Sequence, residues 1–211
     1  MTGQNDEEIP AHFFARPDES PDELFYDEPR FVAHIDQATI DALTDFYRTF
    51  IPADARVLDL MSSWISHLPE EVIYGRVEGL GMNATELRAN KQLDAFRVQN
   101  LNDNPVLPYA PRTFDRALIA VSVQYLIHPV EVMRSIHEVL ADDGALCIAM
   151  SHRLFPTKAI AAFQQLPAKE RIQLVGYYLD RAGFSEVSFE DQSPPEADPL
   201  WLVIGRKSPA P

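Results

Sequence analysis

The residues with the clearest chemical potential lie in the stretch VLDLMSSWISHLP, residues 57–69. Asp59 ends a continuous apolar run typical of a buried strand, where an unpaired carboxylate is costly unless it meets a ligand or caps the next turn. Ser62 and Ser63 follow and offer hydroxyls and backbone N–H groups, which suit either a polar ligand or the cap of a following helix. His67 either points into the same site or packs as a structural residue. The sequence therefore predicts a polar ligand site directly after this strand.

A second group of polar residues follows two later predicted strands. Gln124 and Tyr125 come after the fourth strand, where Tyr125 either contacts a substrate or packs as part of the apolar run YLI. Polar residues that indicate an anionic or hydrogen-bonding substrate follow the fifth strand: Ser151, His152, Arg153 and Lys158. Tyr125 and His152 are the candidate catalytic residues, since a histidine can serve as a general base. No metal-ligand spacing is present, so no metal site is expected.

Composition and charge exclude several classes of partner. The chain has 211 residues and a formal net charge of -14. Nucleic acids and anionic membranes need a Lys/Arg surface, so neither partner is expected, although acidic charge also simply aids solubility. The single cysteine, Cys147, lies in an apolar run and is expected to be a buried, inert thiol. Because the first ten residues lack an apolar stretch, a cytoplasmic location is expected.

The order of predicted elements defines an α/β domain. Residues 1–33 are rich in Pro, Asp and Glu and are predicted to form an N-terminal arm or lid, while residues 208–211 form a short tail. Residues 34–207 alternate apolar strands with helices of amphipathic spacing. This pattern predicts a doubly wound, mostly parallel seven-stranded Rossmann-like sheet with helices on both faces and an antiparallel last strand.

In such sheets a ligand lies across the carboxyl ends of the strands, where the strand order reverses. The residues that directly follow the first five strands are therefore the candidates for the site. These are 59–67, 79–83, 100–103, 122–125 and 151–153.

Read in order, these segments resemble class I S-adenosylmethionine-dependent methyltransferases of the type 11-like kind. VLDL resembles the strand that enters the cofactor loop, VEGLGMNATELRAN resembles the second strand and helix, and the stretch from LPYAPRTFD to VLADDG resembles the family's fourth strand and its flanks. The similarity covers roughly residues 55–150. Together with YDEPRFVAHID and RLFPTKAIAAF, the loop VLDLMSSW also resembles a narrower subgroup of methyltransferase-like proteins.

The resemblance implies a set of cofactor-binding residues and exposes three departures from the family pattern. Met61, Ser63 and Ile65 stand in place of the loop glycines, Gly81 replaces the carboxylate that binds the ribose, and Asn100 replaces an Asp that binds adenine. Asn100 keeps an acceptor oxygen. Asn83 or Glu86 is a possible substitute for the ribose carboxylate. The implied cofactor contacts are Tyr26, Arg30, Asp59, Met61, Ser62, Ser63, His67, Gly81, Met82, Asn83, Asn100, Leu101, Asn102 and Ser122.

The resemblance further implies methyl transfer from S-adenosylmethionine to a small molecule, with S-adenosylhomocysteine as product. Alignment and desolvation carry most of such a reaction, so the lack of a catalytic motif is not an argument against an enzyme. The alternative is a catalytically inactive methyltransferase-like binding module, which the missing glycines motivate. The expected partner is a small methyl acceptor bound by a monomer or a homodimer.

Overall fold

The computed structural model describes residues 9–208, in which seven strands and six helices alternate. The strands are β1 Arg56–Leu60, β2 Arg76–Gly81, β3 Ala95–Val98, β4 Phe114–Ala120, β5 Leu140–Met150, β6 Glu186–Asp191 and β7 Trp201–Arg206. The helices are α1 Asp22–Tyr26, α2 Gln37–Phe50, α3 Ala84–Ala89, α4 Pro129–Val139, α5 Ala161–Gln165 and α6 Ala168–Ala182. Two short 3-10 turns lie at Ala11–Phe14 and Val123–Tyr125.

The sheet has the strand order β3-β2-β1-β4-β5-β7-β6. All pairs from β3 to β5 are parallel, whereas β7 runs antiparallel to both β5 and β6. The predicted seven-stranded Rossmann-like sheet with an antiparallel last strand is therefore confirmed. The strand order reverses between β1 and β4, because the chain builds outward from β1 to β3 and then returns to the other side. This reversal places a crevice at the carboxyl ends of β1 and β4.

Helices cover both faces of the sheet, as predicted. One face packs against α4, α5 and α6, with Met133, Ile136 and Phe163 buried in one core cluster. The other face packs against α2, whose Leu43 and Tyr47 are fully buried. Local signals fix the helix ends: the Asp36 side chain accepts a hydrogen bond at the start of α2, and α6 ends at Gly183 with a φ of 97°.

The connection from β1 to β2 departs from the usual βαβ pattern. Residues 61–75, all of which the structure describes, contain no helix. The sequence had left open that Ser62 and Ser63 cap a helix after β1, and that alternative is wrong. Leu68, in this irregular segment, is instead buried in the core cluster that packs against α2. The site after β1 is therefore built by a loop alone, without the dipole of a following helix.

Residues 9–33 lie over the domain as an arm, which includes α1. The amide of Asp18 donates to the Thr157 carbonyl at 2.9 Å, and the amide of Ala161 donates to the Ala15 carbonyl at 2.8 Å. The first eight residues of the predicted arm and residues 209–211 of the predicted tail lie outside the described residues. Within residues 9–208, no helix is long and apolar enough to cross a membrane.

Candidate cofactor and substrate site

A cavity of about 320 Å³ lies at the carboxyl ends of β1, β2 and β4, where the strand order reverses. Its size falls at the lower end of the range typical for small-molecule sites, roughly 300–1,000 Å³. Its lining includes all the residues that the sequence analysis associated with the cofactor: Tyr26, Arg30, Asp59, Met61, Ser62, Ser63, His67, Gly81, Met82, Asn83, Asn100, Leu101, Asn102 and Ser122. The fold thus gathers at one place residues that are spread over almost a hundred positions of the chain.

Asp59 is a buried carboxylate at the floor of this cavity, 4% exposed. The hydroxyls of Ser62 and Ser66 donate to its Oδ2 at 2.5 and 2.7 Å, while Oδ1 accepts no hydrogen bond from residues 9–208. Desolvation by burial raises the pKa of Asp59 from its usual 3.8 to about 6, against the smaller lowering by the two hydroxyls. Among residues 9–208 the Asp59 carboxylate has no cationic partner, and a positively charged ligand would stabilise it.

The serine hydroxyls are engaged by protein carboxylates. Ser63 donates through its hydroxyl to Glu86 Oε2 at 2.6 Å, just as Ser62 donates to Asp59. Asn90 holds the same loop by donating to the Ser66 hydroxyl at 2.8 Å and to the Ser63 carbonyl at 3.0 Å. The polarity of the loop thus stabilises the loop itself, so a ligand would have to share these hydroxyls.

Two positions explain how the loop works without glycines. Met61 has a φ of 53°, so it holds the left-handed conformation that glycine adopts at no steric cost. The loop backbone then passes close to β2, because a Cβ added at Gly81 would lie 2.2 Å from the Ser62 carbonyl oxygen. No carboxylate side chain fits at position 81 while the loop takes this path. Gly81 on the neighbouring strand β2 thus permits the close approach of the loop backbone.

Glu86 reaches the cavity from α3 and is a residue that sequence reasoning ranked only as a possible substitute. It stands at the third helical position after the Asn83 cap, a spacing typical of a capping box. Its side chain does not complete a capping box. It accepts hydrogen bonds from the Arg30 amide at 2.6 Å and from the Ser63 hydroxyl at 2.6 Å. Glu86 therefore joins α3, the loop after β1 and the arm at the cavity wall.

Three asparagines that were predicted to contact a cofactor also hold the arm. Asn83 donates to the carbonyls of Tyr26 and Asp27 at 2.9 Å, and Asn100 donates to Glu23 at 2.9 Å. Asn102 donates to Asp22 at 2.8 Å, while its oxygen accepts from the Ile127 amide. The oxygen of Asn100 accepts from the Asn102 amide at 3.0 Å, which leaves one of its two lone pairs for a ligand.

Arg30 is a positioned guanidinium without a carboxylate partner. None of the ion pairs within residues 9–208 includes it. Its Nη2 donates to the Phe25 carbonyl at 2.7 Å, and its Cζ lies 4.4 Å from the centre of the Phe25 ring and 5.6 Å from that of Phe155. Aromatic contacts fix the guanidinium while they leave its charge uncompensated. Arg30 and Asp59 thus give the same cavity one positive and one negative group.

Two further polar groups of the lining lack partners. The Ser122 hydroxyl and His67 Nδ1 are buried and form no hydrogen bond with any residue from 9 to 208. Burial lowers the pKa of His67 to about 4, and repulsion from His34 adds to the effect, so the ring is neutral at physiological pH. Unsatisfied buried polar atoms are rare in native proteins, and at a cavity wall they indicate ligand contacts.

Tyr125 forms part of the wall beneath the residues that follow β5. Its ring stacks on Phe155 with centroids 5.8 Å apart, and its hydroxyl accepts from the Phe155 amide at 2.9 Å. Both readings of Tyr125 thus have a basis, since it packs and also lines the cavity. Phe155, which sequence reasoning missed, carries no local signal, because its position depends on the arm and on β5 together.

The polar residues that were predicted to bind substrate after β4 and β5 separate into two groups in the structure. Arg153 lines the cavity, while Gln124, Ser151, His152 and Lys158 do not. Arg153 Nε lies 3.0 Å from both carboxylate oxygens of Asp198, and His152 Nε2 lies 3.2 Å from one of them. His152 and Arg153 thus both contact the Asp198 carboxylate, and this geometry offers no support for a catalytic role of His152.

Lys158 is fully buried and serves the arm. Its Nζ lies 3.2 Å from a carboxylate oxygen of Asp18 and of Asp22, and it donates to the Ser20 carbonyl at 2.7 Å. Asp22 also accepts two contacts of 2.8 and 2.9 Å from Arg16 Nη1. The Lys158 ammonium, which was predicted to bind substrate, is thus paired with Asp18 and Asp22 in an internal cluster that anchors α1. Gln124 is likewise internal, because its amide donates to the Val121 carbonyl at 2.8 Å.

No group of three or more metal-ligating side chains within residues 9–208 is placed to hold a metal ion. Cys147 is buried in β5, and burial raises the pKa of its thiol.

Comparison with known proteins places the fold. The sequence matches no protein-family model and no curated protein sequence. A structure of an S-adenosylmethionine-dependent methyltransferase from Mesorhizobium loti is similar with a TM-score of 0.58 and 17% identity, over 80% of this chain and 100% of that one. The cyclase SpnF is similar with a TM-score of 0.60 and 16% identity, over 81% and 82%.

A third solved structure was determined with a ligand. Phosphoethanolamine N-methyltransferase 2 of Haemonchus contortus, in complex with S-adenosyl-L-methionine, is similar with a TM-score of 0.58 and 14% identity, over 80% of this chain and 52% of that one. At these identities the likeness establishes the fold. The chain has the Rossmann-like fold of class I methyltransferases.

Proposed function

We propose that this protein is an S-adenosylmethionine-dependent methyltransferase that acts on a small molecule. The observation that carries the proposal is the pair of uncompensated charges in one cavity. Within the described part of the chain, Asp59 is a carboxylate without a cation, and Arg30 is a guanidinium without a carboxylate partner. The two are complementary to the ammonium and carboxylate of an α-amino acid, which is one end of S-adenosylmethionine.

The remaining cofactor-facing residues suit the other parts of that molecule. Met61, Met82 and Leu101 supply apolar walls of the cavity, and Ser122 supplies a buried hydroxyl without a partner. Glu86 lines the same cavity as Gly81 and is the candidate to replace the missing ribose carboxylate. When bound, the cofactor supplies a methyl group on a sulfonium, which is already an activated leaving group. The protein therefore has to bind, orient and exclude water.

The arm is suited to exclude water. Tyr26, Arg30 and Val32 all line the cavity, and α1 is anchored below by the buried cluster of Asp22 and Lys158. An arm that closes over both ligands keeps the reacting groups dry, as lids do in small transferases. The cavity is open to a ligand and is not filled by its own side chains, which supports the binding of a cofactor.

Calorimetric titration with two ligands tests this proposal. S-adenosylhomocysteine carries the amino-acid end, whereas 5′-methylthioadenosine shares the nucleoside and sulfur but lacks that end. The wild-type protein should bind S-adenosylhomocysteine at least tenfold more tightly. In Arg30→Gln the preference should fall to a few-fold, because a buried charge pair with one partner removed loses about 2 kcal/mol or more.

Arg88→Gln is the matched control, since Arg88 is exposed on α3. It should bind both ligands as the wild type does. If folded wild-type protein binds neither ligand, the proposed function is wrong. Equal affinity for the two ligands would mean that Asp59 and Arg30 do not bind an amino-acid group.

A further inference from the structure

The turn that follows β4 is strained at Val121, which lines the cavity. Its φ of 50° lies in the left-handed region, which is a genuine outlier for a β-branched residue. The Val121 side chain is buried with Ile35 and Ile40 in a small apolar cluster, and this packing helps to offset the cost. Strained residues persist only where the surrounding structure fixes them, and they are concentrated at functional sites. The turn is therefore a candidate for a functional role.

Gln124 holds this turn from inside. The residue is 5% exposed, and its side-chain amide donates to the Val121 carbonyl at 2.8 Å and to the Arg153 carbonyl at 3.3 Å. The backbone adds two bonds, because the Val121 amide donates to the Ala149 carbonyl at 2.8 Å and the Ile160 amide donates to the Gln124 carbonyl at 3.0 Å. The strained turn after β4 is thus fixed to β5 and to the segment that follows β5.

Ser122 is the polar residue of this turn that is left free. It lines the cavity, and its hydroxyl is buried without a hydrogen bond to any residue from 9 to 208. Rotation about χ1 leads the hydroxyl to other staggered positions, and it breaks no hydrogen bond that the hydroxyl makes with those residues. A ligand with a hydrogen-bonding group can therefore draw the Ser122 hydroxyl into the cavity at little cost.

Ser122 and Asp59 lie on opposite sides of the crevice at the strand-order reversal. Asp59 is in β1 and Ser122 follows β4, and these two strands are neighbours in the sheet, with Leu60 opposite Ile119. Ligands of doubly wound sheets lie across this crevice. A ligand whose ammonium group is held by Asp59 therefore also passes the turn that carries Ser122.

We propose, resting on the function proposed above, that the Ser122 hydroxyl forms a hydrogen bond with bound S-adenosylmethionine and that Gln124 is the positioning residue for this contact. Gln124 does not line the cavity, so it acts through the backbone of the turn. It fixes the Val121 carbonyl, and with it the direction in which the next residue points. Gln124, which the sequence analysis assigned to the substrate, thus has an indirect role in cofactor binding.

A double-mutant cycle with calorimetric titration of S-adenosylhomocysteine tests the proposal. Ser122→Ala removes the hydroxyl, and Gln124→Met removes the amide while it keeps the length of the side chain. Each single variant should bind S-adenosylhomocysteine about three- to tenfold more weakly than the wild type, the loss expected for one hydrogen bond. In the Ser122→Ala background, Gln124→Met should weaken binding by less than about 1.5-fold, because its effect passes through the missing hydroxyl.

Urea unfolding and two controls separate this role from a structural one. Ser122→Ala should unfold at a urea concentration no lower than the wild type does, since it removes a buried hydroxyl without a partner in residues 9–208. The hydroxyl of Ser151 is equally buried and unpartnered within that range, but Ser151 does not line the cavity. Ser151→Ala should therefore keep the wild-type affinity for S-adenosylhomocysteine, as should Gln173→Met at an exposed position of α6.

Unchanged affinity in Ser122→Ala would overturn the proposed contact. Additive losses in the double variant would overturn the role of Gln124, since they would show that it acts independently of Ser122. Gln124→Leu serves as a second variant, and if neither Gln124 variant folds, the residue is structural and the positioning role is wrong. Failure of folded wild-type protein to bind S-adenosylhomocysteine overturns the proposed function instead.

Discussion

Replacing Asp59 by Asn should stabilise the ligand-free protein. The folded-state pKa of about 6, against an ordinary value of 3.8, means that the folded protein holds the Asp59 proton more tightly than the unfolded chain does. A difference of about two pKa units corresponds to about 3 kcal/mol of unfolding free energy that the ionised carboxylate costs above pH 6. Asn removes the charge, and its carbonyl oxygen can still accept from the Ser62 and Ser66 hydroxyls.

The sign of the pH dependence follows from the raised pKa. Between pH 4 and pH 6 the folded wild-type protein binds more protons than the unfolded chain, so its stability falls as the pH rises through this window. Asp59→Asn should lack this contribution. Urea unfolding at pH 4.5 and pH 7.5 measures both effects, with the variant more stable by as much as about 3 kcal/mol at the higher pH and by much less at the lower.

Asp180→Asn, at an exposed position of α6, is the control and should change the unfolding free energy by less than about 0.5 kcal/mol. The same Asp59→Asn variant should bind S-adenosylhomocysteine about 30-fold more weakly or worse, since it loses the partner of the ligand ammonium. An Asp59→Asn protein that is less stable than wild type at pH 7.5 would refute the reasoning that Asp59 is an uncompensated charge.

Three further perturbations probe the loop and the arm. Gly81→Ala should lower the urea-unfolding free energy by about 1–3 kcal/mol, because the new Cβ would lie 2.2 Å from a backbone oxygen. Gly176→Ala in α6 is the control, since the new Cβ has room there, and it should raise the unfolding free energy by about 0.5–1 kcal/mol. Equal effects of the two changes would contradict the close approach at Gly81. Met61→Gly should be more stable than Met61→Ala by about 1 kcal/mol, since glycine adopts a φ of 53° without strain, and a reversed order would exclude strain at this position. Lys158→Met should make the arm sensitive to limited proteolysis and lower the unfolding free energy by about 3–5 kcal/mol. Lys169→Met, at an exposed position, should change neither the proteolysis of the arm nor the unfolding free energy. An arm that stays protected in Lys158→Met would show that the buried cluster does not anchor it.

The helix and strand signals in the sequence are local, which is why they were sufficient for the fold. Strands β1, β2 and β4 are short apolar runs, and their alternation with amphipathic helices defines a parallel sheet and the edge at which ligands bind. Caps act over three or four residues, so the Asn83 start of α3 and the Gly183 end of α6 were also readable. The position of Asp59 at the end of β1 followed from the same reasoning.

The roles of the individual polar side chains depended on contacts between distant parts of the chain. Asn83 and Asn102 were placed at the right edge of the sheet, but only the packing of the arm shows that they bind Tyr26 and Asp22. Lys158 gave no sign in the sequence that it is buried against Asp22. A hydrogen bond or ion pair depends on where both partners lie, and the sequence specifies that only through the whole fold.

The sequence alone therefore determined the layers of this protein, the order of its elements and the edge that carries the site. The tertiary structure decided which residues there remain free for a ligand. Ser63 and Asn100 take part in internal hydrogen bonds, whereas within residues 9–208 Arg30 has no carboxylate partner and the buried Nδ1 of His67 has no hydrogen bond. Periodicity reports on neighbours along the chain, while the freedom of a charge or a ring nitrogen is set by residues that fold against it from elsewhere.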